Sequence, residues 1–227
     1  MHTTASNETV LVLIKFKVRG NLRFLSHAET VNLFQRDCVR AGIEVLYSQG
    51  FNPRPKMSLP LPRTVGIESD DDLLSLRLLH APSESEVSDY QSQIKARLSS
   101  QLPEGCELLS VRTIREKTSF EPVAAKYILT VQRKYINEKL KSRIDRLLAS
   151  ESLDMERQRF PKNSKFKNVD VRPFLRSIEL DGRSILVDYE ITSSGSIRVD
   201  EILKLLELDV EMLAKPVRRT GVKWQKS

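Results

Sequence analysis

Hydrophobic periodicity changes between strand-like alternation and helical spacing in the same order twice along these 227 residues. That repeat constrains the fold more than any feature of composition. In the first half, Val10–Val18 (VLVLIKFKV) is rich in β-branched residues and alternates late, as a strand does. Ser26–Gly42 reads as a helix: Ser26 and Glu29 make the S-x-x-E capping box, Val31, Phe34, Cys38 and Val39 line one face, and Gly42 stops it. Ile43–Ser48 and Leu73–His80 read as strands, Ser83–Leu102 as a helix closed before Pro103, and Cys106–Ile114 as a strand. The second half repeats the series. Ala125–Arg133 is a strand, Ile136–Ala149 a helix with Ile136, Leu140, Ile144, Leu147 and Leu148 on one face, and Leu153–Phe160 a strand. Ser184–Thr192 is a strand, Val199–Leu206 a short helix and Lys215–Trp224 a final strand.

Two successive β-α-β-β-α-β series predict an α+β protein of tandem ferredoxin-like units, over residues 8–116 and 124–227. The break is placed at Glu116–Ala124, where polar residues and Pro122 separate strands. One continuous α+β sheet is the competing architecture. Each unit carries extra chain between its second and third strands. The first insertion, Gln49–Asp72, holds Pro53, Pro55, Pro60 and Pro62, while Phe51, Met57, Leu59, Leu61 and Val65 argue against disorder. Loops of this length in compact domains are usually functional. The second, Pro161–Gly182, holds Lys162, Lys165, Lys167, Arg172 and Arg176. Both are expected to leave the same edge of their sheets and combine into one basic surface.

The charge is uneven. Nine Lys or Arg lie between Lys15 and Arg63 (Lys15, Lys17, Arg19, Arg23, Arg36, Arg40, Arg54, Lys56, Arg63) against Glu29, Asp37 and Glu44, a surplus of +6 in a chain of net +7. Such a concentration is a footprint for a polyanion, RNA first. Acids gather next: Glu68, Asp70, Asp71, Asp72, Glu84, Glu86 and Asp89 precede Ile94 against Arg77 alone. The Asp70–Asp72 run reads as an exposed turn without partners spaced for a metal. Cys38 and Cys106 fit buried thiols rather than a disulfide or metal motif, so neither metal nor cofactor is expected. No stretch is apolar enough to cross a membrane, and MHTTASNETV lacks the features of a signal peptide, so a cytoplasmic protein without a membrane partner is expected.

Arg23-Phe24-Leu25-Ser26-His27, Tyr47-Ser48-Gln49-Gly50-Phe51-Asn52-Pro53-Arg54-Pro55-Lys56, Leu59-Pro60-Leu61-Pro62 and Val65-Gly66 carry a resemblance, extended by Asp170-Val171-Arg172-Pro173 and Val217-Arg218-Arg219-Thr220-Gly221. They resemble a bacterial domain family of unknown function, whose members are fused to the end of B12-type radical SAM proteins or encoded as their separate partners. Two departures are visible: Ala28-Glu29 stands where the family usually has Leu-Asp, and Arg54 where it often has His. The resemblance implies a companion to a radical SAM protein, in RNA or ribosome-linked modification, and supplies no reaction. The chain cannot be the radical enzyme, whose cluster needs three closely spaced cysteines.

Several residues are candidates for chemistry or contact. His27 follows the cap Ser26, where the helix dipole disfavours imidazolium. With Tyr47, Lys56 and Arg23 it could form a metal-independent RNA-cleaving group. CRISPR-repeat endoribonucleases, also tandem ferredoxin-like, offer the analogy, though their Gly-rich loop is missing here. A structural His at a helix start is the alternative. Tyr47, Phe51 and Asn52, beside Gln49, could stack on and read an unpaired base, or could pin the loop and form a turn. Arg54, Lys56 and Arg63, spaced by prolines, suit phosphate contacts. Arg36 and Arg40 have no acid four residues before them, so they could flank the loop with Arg23. Arg172 lies in the second insertion, and Arg218, Arg219, Lys223 and Trp224 form a basic ending. The chain is therefore expected to be an RNA-binding accessory of a radical SAM protein. Its rivals are a nuclease using His27 and a protein-only adaptor docking an acidic face of that enzyme.

Overall fold

The computed structural model describes residues 9–79, 81–115, 118–157 and 166–226. It is a mixed α+β protein with four α-helices among those residues. The chain divides into two compact units, residues 1–121 with 225–227, and residues 122–224. The opening residues 1–8, and His80, Glu116, Phe160, Pro161, Lys162 and Lys165 named above, lie outside the described residues.

The first unit contains β1 (Val10–Val18), α1 (His27–Arg40), β2 (Met57–Ser58), β3 (Glu68–Leu78), α2 (Val87–Ser99) and β4 (Cys106–Ile114). Its strands run antiparallel in the order β4-β1-β3-β2. The most apolar strand, β1, takes the middle, with Ile14 opposite Leu74 on one side and Val111 on the other. Flanked on both edges, β1 satisfies its backbone donors and acceptors inside the sheet, so its first five residues can all be buried. α1 packs on this sheet through Phe34, whose ring meets Phe16 edge to face at 4.7 Å and 68°. Val12, Leu76, Ile94 and Leu98 belong to the same core.

The expected cap of α1 is present. Ser26 Oγ accepts the Glu29 N–H at 3.3 Å, and Glu29 accepts the Ser26 N–H at 2.8 Å. Hydrogen bonding from the Ser26 side chain and backbone to the Glu29 carboxyl holds it below its ordinary range. Gly42 follows the helix at φ +62°, the left-handed backbone a helix end favours. Val39 does not join the buried face. Thr30, Phe34, Asp37 and Cys38 form that stripe, and Val39 is 71% exposed.

Two further expectations change. Ile43–Ser48 is not a continuous strand. β3 pairs Leu76 and Ser75 with Met57 and Ser58, and Leu78 with Val45 in an isolated bridge. Asp70–Asp72 is not a turn but the start of β3. Its acids are drawn into the sheet by cations: Lys15 reaches Asp71 at 2.8 Å, Arg19 pairs with Glu68 and Asp70, and Arg63 reaches Asp72 at 3.5 Å.

The second unit is built from β5 (Phe120–Thr130), α3 (Glu138–Ala149), β6 (Asp154–Arg157), β7 (Lys167–Asp170), β8 (Leu175–Asp181), β9 (Ser184–Thr192), β10 (Gly195–Ser196), α4 (Val199–Leu206) and β11 (Arg218–Lys226). β11, β5 and β9 are neighbours in that order, β8 and β10 share the other edge of β9, and β6 with β7 forms a separate antiparallel pair. Where it is described, the stretch read as an insertion is therefore largely strand. Tyr127 and Tyr189, neighbours across β5 and β9, stack at 4.7 Å and 9°. Leu129, Ile185, Val187 and Ile202 are buried in this unit.

Candidate nucleic-acid interface

The proline-rich loop splits into a presented half and an anchored half. In the first, Ser48 N–H donates to the Arg54 carbonyl at 2.8 Å, Arg54 N–H to Ser48 Oγ at 2.9 Å, and Lys56 N–H to the Leu46 carbonyl at 2.7 Å. Residues 49–53 become the tip of a hairpin. Gly50 takes φ +132° there, a conformation side chains with a Cβ rarely adopt. Pro53 and Pro55 remove backbone freedom on the returning side. The tip carries Gln49, Phe51 and Asn52, all exposed, with Arg54 and Lys56 exposed behind them. Phe51 buries none of its side chain, and Tyr47 is 47% exposed at the base. Neither Arg54 nor Lys56 makes an ion pair among the described residues. Tyr47 and Pro55 also wall a groove of about 400 Å³ against α1, whose Gln35 and Val39 form its far side. Arg36, next on that helix, is exposed and has no ion pair among the described residues.

The anchored half turns inward at Arg63. Its guanidinium donates to the carbonyls of Arg23 (2.9 Å), Ile67 (2.8 Å) and Leu22 (3.3 Å) and faces Asp72. Gly66 N–H donates to the Arg23 carbonyl at 2.8 Å. The two sequence blocks around Arg23-Phe24 and Pro62-Arg63 thus complete one hydrogen-bonded corner. Arg63 is buried, which removes it from the expected phosphate contacts.

Other expected cations are committed similarly. Arg40 pairs with Asp37 one turn back and donates to the Gln101 carbonyl at 3.3 Å, so the acid three residues before it supplies the partner that spacing of four did not offer. Burial pushes the Asp37 carboxyl up, with Arg40 opposing. Arg23 donates to the Gly20 carbonyl at 2.8 Å and lies 4.2 Å over the ring of Phe24, itself 54% exposed. Arg172 holds the carbonyls of Ser150, Leu148 and Leu175 at 2.8–3.0 Å. Arg219 is 2% exposed and hydrogen-bonds the Tyr189 hydroxyl, whose pKa burial pushes up; Arg218 is half-buried. Arg172 and Arg219 are structural, because buried carbonyls and a buried hydroxyl need donors.

His27 is exposed at the first position of α1. Among the described residues, no side-chain hydrogen bond links His27 to Tyr47, Lys56 or Arg23. Burial raises both cysteine thiols to about 12, which disfavours the reactive thiolate; Cys38 lies in the core as expected, whereas Cys106 is only half-buried against it. Exposed Phe24 was not singled out by sequence reasoning. Its signal lay in standing just before a capped helix without a periodic place in it.

The protein is thus an α+β protein of two compact units, with Gln49, Phe51, Asn52, Arg54 and Lys56 exposed on one proline-framed hairpin and His27, Arg36 and Arg40 exposed on α1. It belongs to a bacterial family, described as an uncharacterized protein conserved in bacteria (DUF2344), whose profile matches residues 12–203. A search of curated proteins finds no match. Among the described residues, no helix is long and apolar enough to cross a membrane.

Proposed function

We propose that this protein is a cytoplasmic RNA-binding accessory of a radical SAM protein, acting in RNA modification or processing. The observation that carries the RNA part is the hairpin tip. A fully exposed Phe51 stands beside Tyr47, Arg54 and Lys56 on backbone already fixed by prolines. Unpaired bases stack on such rings while cations take the phosphates, and a preorganised loop loses little entropy on binding. The strand orders β4-β1-β3-β2 and β11-β5-β9-β8 support a tandem ferredoxin-like reading of the two units. The partnership rests on the resemblance carried by residues 23–27, 47–56, 170–173 and 217–221.

The test measures single-stranded RNA affinity of the full chain across a salt series. Arg54→Ala is expected to flatten the plot of log K against log salt by about 0.7, the effect of removing one phosphate neutralisation. Phe51→Ala is expected to cost about 1–3 kcal/mol of affinity, the worth of one stacked base, without changing the slope. Unchanged affinity and slope in both variants remove the tip as an RNA contact. Recovery of a radical SAM protein with the native chain from cells tests the partnership.

A further inference from the structure

A separate cleft of about 340 Å³ opens on the first unit along the β2–β3 ladder. Ser58 pairs with Ser75 and Met57 with Leu76, and one step further the Arg77 N–H donates to the Lys56 carbonyl at 2.9 Å. Alternation along paired strands puts Lys56, Ser58, Ser75 and Arg77 on one face, and all four line the cleft. Two like charges directly opposite each other in an antiparallel ladder repel. Neither Lys56 nor Arg77 makes an ion pair among the described residues, and none of the described lining residues is acidic. Ser119 adds an exposed residue to the lining, Thr118 is buried with its hydroxyl donating to the Ser119 carbonyl at 3.3 Å, and Leu11 and Phe120 supply apolar surface.

We infer that this cleft seats a phosphate monoester with a flat, apolar-faced body, a nucleotide monophosphate in chemical class. A monoester carries close to two charges at neutral pH and three strong acceptor oxygens. Two cations match that charge, the Ser58 hydroxyl matches an oxygen they leave open, and the Ser75 hydroxyl, which donates to the Ser58 carbonyl at 3.4 Å, exchanges that long bond for a phosphate oxygen. A diester offers one charge and would leave the Lys56–Arg77 repulsion half uncompensated. The volume lies at the small end of ligand clefts, about 300–1,000 Å³. The ligand is either a free nucleotide or the phosphorylated end of an RNA strand. The inference shares Lys56 with the hairpin reading and is told apart from it by Arg77, Ser58 and Ser75, which have no part in the tip.

Calorimetry and thermal melting of the full chain, in phosphate-free buffer, test it with AMP, adenosine, and an oligoribonucleotide with and without a 5′-phosphate. AMP is expected to bind and raise the melting temperature, and adenosine to do neither. Arg77→Gln is expected to weaken AMP binding about tenfold or more, as removal of a charge-assisted hydrogen bond does. The same variant is expected to melt no lower than the parent without ligand, because it relieves the repulsion. Equal binding of AMP and adenosine, or parental AMP affinity in Arg77→Gln, overturns the inference. If Arg77→Gln fails to fold, Ser75→Ala takes its place, and parental AMP affinity there overturns it too. Competition with AMP by the 5′-phosphorylated strand alone identifies an RNA end; lack of competition by either strand, with AMP bound, identifies a free nucleotide. AMP binding retained in Phe51→Ala and Arg54→Ala separates this cleft from the hairpin.

Discussion

Arg54 and Arg63 belong to the same loop and carry the same charge, yet the fold uses them oppositely. Arg54 projects from the hairpin, whereas Arg63 is folded beneath it onto three carbonyls and Asp72. Three carbonyl acceptors suit a planar guanidinium fork, which lysine cannot reproduce. Arg63→Ala is therefore expected to destabilise the protein by about 3–5 kcal/mol, the range for leaving one member of a buried ion pair alone. Chemical denaturation of the two proteins checks this, and a loss below about 1 kcal/mol would show that Asp72 and the carbonyls find other partners. The residue type was legible in the sequence. Its burial was not, because nothing near Arg63 in the chain announces the Leu22 and Arg23 carbonyls or Asp72. Arg77 failed to stand out for the converse reason, as the lone cation in an acidic stretch whose acids the fold assigns elsewhere.

Among the elements, β1, β4, β9 and α4 have the expected bounds residue for residue, and the start of α1 was as legible. The cap at Ser26–Glu29 is a local interaction. β7 and β8 were missed because each mixes charged and apolar residues over a short span, and their identity comes from their partners β6 and β9. What joins them to α3 is a small staple. Asp170 Oδ1 accepts the N–H groups of Leu153 (2.7 Å) and Arg172 (3.0 Å), and Arg172 then holds carbonyls at the end of α3. The two backbone N–H bonds hold the Asp170 carboxyl below its ordinary value of 3.8. A lowered carboxylate adds stability that is full above the ordinary value and is lost as pH falls through the lowered one. Asp170→Ala is thus expected to melt below the parent at neutral pH, with the gap closing as the pH falls below about 4. Melting curves across that range check it; a gap that persists at low pH would mean the side chain acts by packing.

At the scale of the whole molecule, the basic stretch and the acidic stretch that follows it were separate only along the chain. Antiparallel pairing of β1 with β3 and β4 sets Lys15 against Asp71 and Lys17 against Glu107, and Arg19 also meets acids of β3. A cation with its acid at hand releases few counterions on binding a polyanion. Lys17→Ala is accordingly expected to leave the salt slope of RNA binding as in the parent, whereas Arg54→Ala lowers it. Equal lowering by both would show a diffuse field rather than a defined contact surface.

Alternation, capping and proline spacing are local, so the sequence by itself determined the mixed α+β character, the principal helices and the stiffness of the hairpin. Which arginines stay available to a ligand, and that Lys56 and Arg77 face each other, only the tertiary structure decided. Those properties depend on partners that strand pairing delivers from distant parts of the chain, and no local pattern records them.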